Sequence, residues 1–257
     1  MHRTASYSGN RQLILTLWHG SLLIRGCTRV DCTSLTSLEE DESRTPNHIC
    51  CTFRGAVAAL DAATGHQIWK TYTIPEPPKF IKKNSLGVDY MGPSGSGVWT
   101  TPIVDTKRRA LYFGTGNSFS EPAITSDSLM AVNMDTGKIL WWKQARANDI
   151  WHGGCAQTVP GRAAPAGMAP GRGNQPPYPK ENCVEKTGPD WDYAASPNLA
   201  TMPDGRTVII ASPKQAVVRA LDPDKKGETI WEQDVARGIS GGAGEIVFGG
   251  AADDHYV

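Results

Sequence analysis

Three segments of the chain share one pattern of apolar and polar positions. Each begins with a short apolar run, passes through a polar turn that contains Asp or Asn and then Gly, and closes on a run that carries a tryptophan. Asp and Asn can hydrogen-bond their own backbone at the start of a turn, and glycine accepts the positive φ that such a turn requires. Each segment is therefore predicted to be a β-hairpin. The three segments are residues 59–69, 131–141 and 220–231.

The recurrence of this hairpin predicts the architecture. One hairpin cannot bury its apolar face alone, so repeated copies are expected to stack on one another and to share a core. Apolar and alternating runs between the copies predict the remaining strands of each unit. The sequence thus favours an all-β protein with a β-propeller fold. The second unit contains all four strands of a complete blade, at residues 100–105, 110–114, 128–132 and 138–144.

The neighbouring units are predicted in the same way. The first has hairpin strands at residues 56–60 and 67–72, and then an exposed linker over residues 75–83 that is too rich in Pro and Lys for a central strand. A fourth unit is predicted to begin at residues 244–247 and to run to the last residue. The third unit has predicted strands at residues 198–200, 208–211, 217–221 and 229–233.

The domain organisation follows from where the pattern holds. Residues 1–37 show no strand period and no hairpin phrase, and they are predicted to be a leader outside the propeller. Residues 38–257 are predicted to form a partial propeller of three to four blades. An open run of blades leaves sheet edges bare, whereas a closed ring removes them. The chain is therefore expected to be part of a longer ring.

Charge excludes several classes of partner. Lys and Arg together number 26, as do Asp and Glu, so the formal net charge is zero. No long-range field then favours nucleic acid or an anionic membrane surface. No apolar stretch is long enough to cross a membrane, and no membrane span is predicted.

The six cysteines point to an oxidising compartment. Their number is even and their spacing is not that of a zinc site, so disulfides are the favoured interpretation. Cys155 and Cys183 flank a stretch rich in proline and glycine, predicted to be a long surface loop, and they either pair across it or remain two buried thiols. No Cys-x-x-Cys-His motif occurs, so no covalent c-type haem is predicted for this chain.

Other cofactor and catalytic motifs are missing from the sequence. Residues 92–97 are glycine-rich but lack the Gly-Lys-Ser/Thr ending of a phosphate loop. No His-Glu-x-x-His, nucleophile elbow or Rossmann fingerprint is present either. Chemistry based on NAD, ATP or simple hydrolysis is therefore disfavoured.

Several motifs, in order along the chain, resemble one enzyme family. Residues 99–105, 110–117 and 190–194, together with the repeated hairpin, resemble the pyrroloquinoline-quinone (PQQ)-dependent alcohol dehydrogenases. The segment that leads from Glu39 and Glu40 into Cys50-Cys51, and Asn182-Cys183 shortly before Gly188-Pro189-Asp190, look most like the polyvinyl-alcohol dehydrogenase branch. The resemblance covers about residue 38 to residue 257.

The resemblance implies a fold and a reaction. The fold is the eight-bladed quinoprotein propeller, of which this chain would supply three to four blades. The reaction is oxidation of an alcohol, with polyvinyl alcohol or a secondary alcohol as the expected substrate in that branch, by hydride transfer to PQQ with assistance from Ca²⁺. Electrons would then pass to a cytochrome c, on another domain or a separate protein, in the periplasm or outside the cell.

The residues supply the chemical types that such a site needs. A redox quinone is flat and anionic, so it needs an aromatic or sulfur-bearing face and a cation, and Ca²⁺ prefers carboxylate and amide oxygens. The resemblance assigns Trp99 to stacking on the quinone, Asn117 to a calcium ligand, and Asp192 to both a calcium ligand and the acceptor of the alcohol proton. For each a structural role stays open: a core tryptophan for Trp99, and turn residues for Asn117 and Asp192.

Further candidates rest on position. Lys214 aligns with a basic residue near the quinone carbonyls, although Gln215 and Ala216 follow it where Ser and Gly are usual, so it is also interpretable as a strand-end lysine. Arg54 is a second candidate cation. Glu40, or its neighbour Glu39, is a candidate for the remaining calcium carboxylate, with a charged loop residue as the alternative.

The pair Cys50-Cys51 has its own physical argument. Adjacent Cα atoms lie about 3.8 Å apart, closer than ordinary disulfides allow, so a bond between them would be strained and comparatively reducible. The resemblance implies a vicinal disulfide against one face of the quinone, and two buried thiols are the alternative.

Two rival functions remain open at this stage. One is a non-catalytic propeller scaffold that keeps the hairpin repeat, and the other is an inactive fragment of the enzyme. The joint presence of Trp99, Asn117, Asp192 and Cys50-Cys51 favours the enzyme lineage. If that interpretation is correct, the side chains of Trp99, Asn117 and Asp192 should lie within roughly 10 Å of one another, the size of a calcium-quinone site.

Overall fold

The fold was determined as a computed structural model, in which regular structure consists almost entirely of strands. It describes residues 51–83, 87, 89–98, 100–151, 188–236, 246–253 and 256, together with the backbone of residues 13–15 and 33–35. Within these ranges the one helical element is a short 3-10 turn at Pro223–Lys225. The all-β prediction is confirmed.

Two complete four-stranded antiparallel blades lie at the centre of the described chain. In each blade the strands pair in the order in which they occur along the chain, as the sequence pattern predicts. The strands of the first are β8 (Ile103–Asp105), β9 (Ala110–Gly114), β11 (Ser128–Asn133) and β12 (Ile139–Gln144), and those of the second are β13 (Asn198–Thr201), β14 (Thr207–Ala211), β15 (Val217–Asp222) and β16 (Glu228–Asp234).

The first sheet is built around β3 (Ala56–Leu60), which pairs with β4 (Gln67–Tyr72) through the first hairpin. The opposite edge of β3 pairs with β1 (Leu13–Leu15) and β2 (Thr33–Leu35), two strands from the segment predicted to lie outside the propeller. They bind there because that edge of β3 offers free backbone N–H and C=O groups. The boundary near residue 38 itself stays a prediction.

The segment predicted as an exposed linker contains a strand. β5 (Lys79–Lys83) pairs with β6 (Asp89–Gly92) in a two-stranded sheet. Every residue of β5 is exposed, so the prediction of an exposed segment without a central strand is correct, although the segment is more than a linker. An edge strand accommodates lysine and aromatic residues, and the prolines at positions 75–78 lie before the strand and do not interrupt it. A second short pair is formed by β7 (Ser94–Gly95) and β10 (Ser118–Ser120).

The predicted fourth unit is not seen as a strand. Residues 246–253 contain no strand in the described part of the chain. They lie against the second complete blade instead: Asn198 donates a side-chain hydrogen bond to the Gly250 carbonyl, and Ala252 packs on the apolar cluster of that blade. A strand needs a second strand that pairs with it along its length, and no strand pairs with this segment among the described residues.

The repeated turn forms by the mechanism that the sequence predicts. The Asp61 carboxylate accepts hydrogen bonds from the backbone N–H groups of Ala63 and Thr64, and Gly65 follows with φ 73°. Asn133 makes the same bonds in the second copy, where Gly137 has φ 71°. In the third copy Asp222 caps the 3-10 turn, and Gly227 has φ 75°.

Neighbouring blades are joined through the repeated tryptophans. Trp69 on β4 packs against Gly137 in the turn of the next blade, so closely that a Cβ on this glycine would lie 2.6 Å from the indole ring. Trp69 Nε1 also donates to the Met134 carbonyl at 3.2 Å. Trp141 on β12 repeats the arrangement against Gly227, where a Cβ would lie 2.7 Å from the ring. The glycine thus serves both the turn and the blade contact.

The core consists of apolar layers between sheets. One layer joins Val57 and Ala59 of β3 to Leu111, Phe113 and Met130 of the next blade. The next layer joins Tyr112 and Trp141 to Ile209 and Leu221 of the following blade. Burial of these side chains from both sides holds the blades at a fixed separation, and therefore fixes where their loops meet.

A pair of glycine substitutions tests the blade contact. Gly65 and Gly137 occupy the same turn position with nearly the same φ, but a Cβ at Gly65 meets nothing within 4 Å. Gly65→Ala should lower the free energy of unfolding by about 1–2 kcal/mol through backbone strain alone. Gly137→Ala should cost roughly 1–3 kcal/mol more, because the methyl group overlaps Trp69. Urea unfolding measures both, and equal losses would show that the contact between Trp69 and Gly137 accommodates a methyl group without cost.

Candidate active site

Three predicted site residues come from loops at corresponding ends of two neighbouring blades. Asn117 follows β9, Asp192 precedes β13, and Lys214 follows β14. Because β13 and β14 are antiparallel, the start of β13 lies beside the end of β14. β9 is the strand of the preceding blade that corresponds to β14, so its following loop reaches the same region.

Backbone hydrogen bonds fix these loops to one another. The Lys214 N–H donates to the Asp192 carbonyl at 2.9 Å, and the Tyr193 N–H donates to the Thr115 carbonyl at 3.2 Å. The Tyr193 side chain is fully buried against Gly114, where a Cβ would lie 2.3 Å from that of the tyrosine. The residues around Asp192 are thus held by both blades.

The side chains form a continuous polar network. Lys214 Nζ lies 2.6 Å from Asp192 Oδ1 and 3.0 Å from Asp190 Oδ1, and Asn117 Nδ2 donates to the same Asp190 oxygen at 2.9 Å. Asn117, Asp192 and Lys214 are each less than a tenth exposed. Asn117 is thus linked to Asp192 in series, through Asp190 and then Lys214. The predicted convergence of both residues with Trp99 stays a prediction, because Trp99 lies outside the described residues.

Asp190 is a member of this network that the sequence does not single out. It has φ 67°, in the left-handed region that a non-glycine residue adopts at a cost. A carboxylate only accepts hydrogen bonds, so it must face the NH₂ group of Asn117. The amide oxygen of Asn117 is thereby turned away from Asp190 and left available to a ligand.

The charges in the network act on one another. Burial alone would lower the pKa of Lys214, but Asp192 and Asp190 together outweigh it and hold that pKa above its ordinary value. Burial raises the pKa of Asp190, and Lys214 and Asn117 oppose this rise. One buried cation thus serves two carboxyl groups, and the ionised network carries a net negative charge that suits a bound metal cation.

Two further buried carboxyl groups lie next to the network. Asp127 and Asp149 are both fully buried, and neither is prominent in the sequence. Asp149 Oδ2 accepts a hydrogen bond from the Trp191 N–H at 3.1 Å, between Asp190 and Asp192. Burial, and then the nearby Asp149 and Asp192 charges, raise the pKa of Asp127 well above its usual range.

Arg54 lies in another environment. Its guanidinium donates to the carbonyls of Ile74 and Pro75, at 3.1 and 3.2 Å, and stacks over the Tyr72 ring at 3.9 Å. The structure does not bring it into contact with the network around Lys214. Its predicted role toward a quinone stays a prediction.

The remaining predicted residues divide into one that is described and several that are not. Cys51 is buried beside Tyr90 and is disulfide-bonded. The other predicted positions, including the loop cysteines, lie outside the described residues: Glu39, Glu40, Cys50, Trp99, Cys155 and Cys183.

Within the described part of the chain, the network supplies oxygen ligands that could bind a metal. Among the described residues no group of three or more His, Cys, Asp or Glu side chains is arranged to hold a metal ion. Asn117, Asp190 and Asp192 offer one amide and two carboxylate groups, a donor set that suits Ca²⁺ better than softer metals. They can supply part of a calcium shell, and further ligands must come from elsewhere. No helix in the described ranges is both long and apolar enough to traverse a bilayer.

Comparison with known proteins agrees with the propeller fold. Residues 40–157 match the family model for the β-propeller domain of glucose, ethanol and alcohol dehydrogenases that use PQQ. A polyvinylalcohol dehydrogenase of Sphingopyxis sp. (strain 113P3) is 37% identical over 95% of this chain and 33% of its own length. A second, from Pseudomonas sp., is 40% identical over 81% of this chain and 29% of its own length.

A more distant similarity extends to other quinone enzymes. A quinohemoprotein alcohol dehydrogenase of Pseudomonas putida is 34% identical over 38% of this chain and 16% of its own length. The chain thus spans about a third of the length of the polyvinylalcohol dehydrogenases that it matches. Through residues 40–157 and these homologues, the chain is related to the PQQ-dependent alcohol dehydrogenases by their β-propeller domain.

Proposed function

We propose that this chain carries the proton-accepting and cofactor-holding side of an alcohol dehydrogenase that uses PQQ and calcium. The observation that supports this most directly is the buried contact of Lys214 with Asp192, within a network that also contains Asn117. The family relationship supplies the reaction class, and the names of the relatives suggest polyvinyl alcohol as substrate. A secondary alcohol is the second candidate substrate of this proposal.

Asp192 is proposed to accept the proton of the alcohol hydroxyl group. When bound, PQQ would supply the acceptor for the hydride of the alcohol carbon, and Ca²⁺ would supply Lewis-acid assistance. The hydroxyl proton passes to the Asp192 carboxylate, and the substrate leaves as the carbonyl compound, so that the bonds and charges balance. Lys214 stabilises the ionised form of Asp192 before the transfer.

The cofactors would be held by residues from several elements. The Asn117 amide oxygen and the Asp192 carboxylate would bind calcium, with Glu40 or Glu39 as a further carboxylate. Trp99 and a Cys50–Cys51 disulfide would lie against the faces of the quinone, and Arg54 or Lys214 would meet its negative charge. Calcium binding, the PQQ contacts and the Cys50–Cys51 pairing are proposed here. The buried amide and carboxylate oxygens of the network, which can act as metal ligands, support the calcium part of the proposal.

The electron acceptor and the location complete the proposal. A cytochrome c would take the electrons from the reduced quinone, since the sequence has no haem-attachment motif of its own. Use of cysteines in disulfides favours the periplasm or the extracellular space.

Addition of PQQ and Ca²⁺ to the purified protein, followed by alcohol-dependent dye reduction, tests the function. Asp192→Asn should still bind the quinone but lose turnover by about 10²–10⁴-fold, because the amide cannot accept the proton. Asp204→Asn is the matched control: Asp204 lies in an exposed turn of the same blade, and turnover should not change. A wild-type protein that binds no quinone would favour a non-catalytic propeller or an inactive fragment.

Substitution of Lys214 tests the charge network without any cofactor. Lys214→Met would leave two buried carboxyl groups without their shared cation, and should lower the free energy of unfolding at neutral pH by about 3–5 kcal/mol. Lys214→Arg keeps the charge and should lose less. Lys225→Met, which removes an exposed lysine at the edge of the same blade, should change it by less than about 1 kcal/mol. Chemical denaturation measures all three, and a Lys214→Met protein as stable as the wild type would contradict the predicted dependence.

A further inference from the structure

The buried carboxyl group of Asp149 has no role in the function proposed above, yet it lies directly behind the site. The segment that contains it runs beside the residue after Asn117: Ile150 forms a parallel bridge with Ser118, and the Trp151 N–H donates to the Ser118 carbonyl at 2.9 Å. Asp149 is therefore anchored to the blade that supplies Asn117.

The same carboxyl group reaches the segment of the next blade. Asp149 Oδ2 accepts from the Trp191 N–H at 3.1 Å, and Trp191 separates the two aspartates that contact Lys214. Gly188 lies against the other oxygen, where a Cβ would come within 1.7 Å of Oδ1. The approach of the backbone to Asp149 is thus so close that residue 188 must be glycine.

The peptide between Asp190 and Trp191, whose N–H donates to Asp149, follows a residue in a strained conformation. Asp190 adopts a left-handed conformation, which a residue with a side chain leaves readily unless the surroundings fix it. If Asp190 relaxed, its carboxylate would lose contact with Asn117 and Lys214. A hydrogen bond to the following N–H opposes that relaxation directly.

Asp127 explains how Asp149 can be buried. Neither Asp127 oxygen meets an N–H or O–H donor within the described residues, and the neighbouring charge that raises the pKa of Asp127 most is that of Asp149. Two carboxylates only accept hydrogen bonds, so the pair is stable in the interior when one proton lies between them. The raised pKa of Asp127, caused first by burial, agrees with a proton held on that residue.

We propose that Asp149 is a positioning residue, which receives a hydrogen bond from protonated Asp127 and holds the Trp191 peptide so that Asp190 and Asp192 both face Lys214. This inference rests on the proposed function for its catalytic meaning, since it concerns the geometry of the same site. Its structural content, the restraint on the Trp191 peptide, can be tested without the cofactor.

Amide hydrogen exchange in the cofactor-free full chain tests the restraint. Asp149→Ala should accelerate exchange of the Trp191 amide by about tenfold or more, because its only acceptor in the described structure is removed. The Tyr193 amide donates to a backbone carbonyl and serves as an internal reference that should change little. Equal acceleration of both amides would show general loosening, and an unchanged Trp191 amide would show no restraint; either result overturns the proposal.

A conservative variant separates hydrogen bonding from packing. Asp149→Asn keeps an acceptor oxygen for Trp191 and offers its NH₂ group to Asp127, so Trp191 protection should remain within about threefold of the wild type. If Asp149→Ala does not fold, Asp149→Asn carries the test by itself. A folded Asp149→Asn protein that loses Trp191 protection while Tyr193 keeps it would overturn the proposal.

Quinone affinity gives the second readout. With PQQ and Ca²⁺ titrated by fluorescence, Asp149→Ala should bind about 10- to 100-fold more weakly than the wild type, and Asp149→Asn should recover most of the loss. Asp204→Ala, on an exposed turn, is the control. A wild type without quinone binding would defeat the proposed function, whereas the exchange result would still decide the role of Asp149. Unchanged quinone affinity in Asp149→Ala would defeat its role in the site.

Discussion

The contact between a tryptophan of one blade and a turn glycine of the next is the interaction on which the rest of the structure depends. The glycine provides the positive φ that closes the hairpin, and its lack of a side chain lets the indole ring lie directly on the turn. Local conformation and long-range packing thus impose the same residue at one position. The apolar layers between the blades then set a distance that loop residues can use.

The candidate site shows what that fixed distance permits. Asn117 belongs to one blade, while Asp192 and Lys214 belong to the next, and the network that joins them is buried. Contacts of this kind tolerate little displacement, because a buried charge that loses its partner is left without solvent to replace it. The strands of the blades supply none of these polar side chains. Their packing determines whether Lys214 can contact Asp190 and Asp192 at the same time.

Features encoded locally could be predicted from the sequence, and those encoded by distant partners could not. The hairpin turns were predictable because Asp61 and Asn133 bond to residues two and three positions away. Asp190 was not, because its contact with Asn117 spans 73 positions and the pattern around it is that of an ordinary turn. The signal that could have found it is its place two residues before Asp192, on the same short segment.

The same distinction explains the differences in the fold. β5 pairs with β6 although three of its five residues are lysines and all five are exposed, because an edge hairpin can form without burying one of its faces. The fourth unit is predicted to begin at residues 244–247, but no strand of the described chain pairs with residues 246–253. Strand propensity indicates that a segment can extend, and only a partner decides whether it becomes part of a sheet.

Backbone strain is concentrated where the candidate site is. Of the seven non-glycine residues with positive φ in the described chain, Arg109 and Lys226 lie in outlying hairpin turns, and the other five are Ser96, Asp127, Asn148, Asp190 and Ala216. Asp190 belongs to the site and Asp127 to the buried carboxyl pair behind it. Asn148 and Ala216 lie within two residues of Asp149 and Lys214 respectively. The Ser96 N–H donates to the Asn117 carbonyl at 2.6 Å. Positive φ values at non-glycine residues persist only where surrounding contacts fix them. Here the packing of two neighbouring blades provides those contacts, whereas an isolated loop would leave these conformations. The packing of tryptophan on glycine and the geometry around Lys214 are therefore parts of one energetic arrangement, in which the stability of the blade contacts offsets the cost of an ordered site.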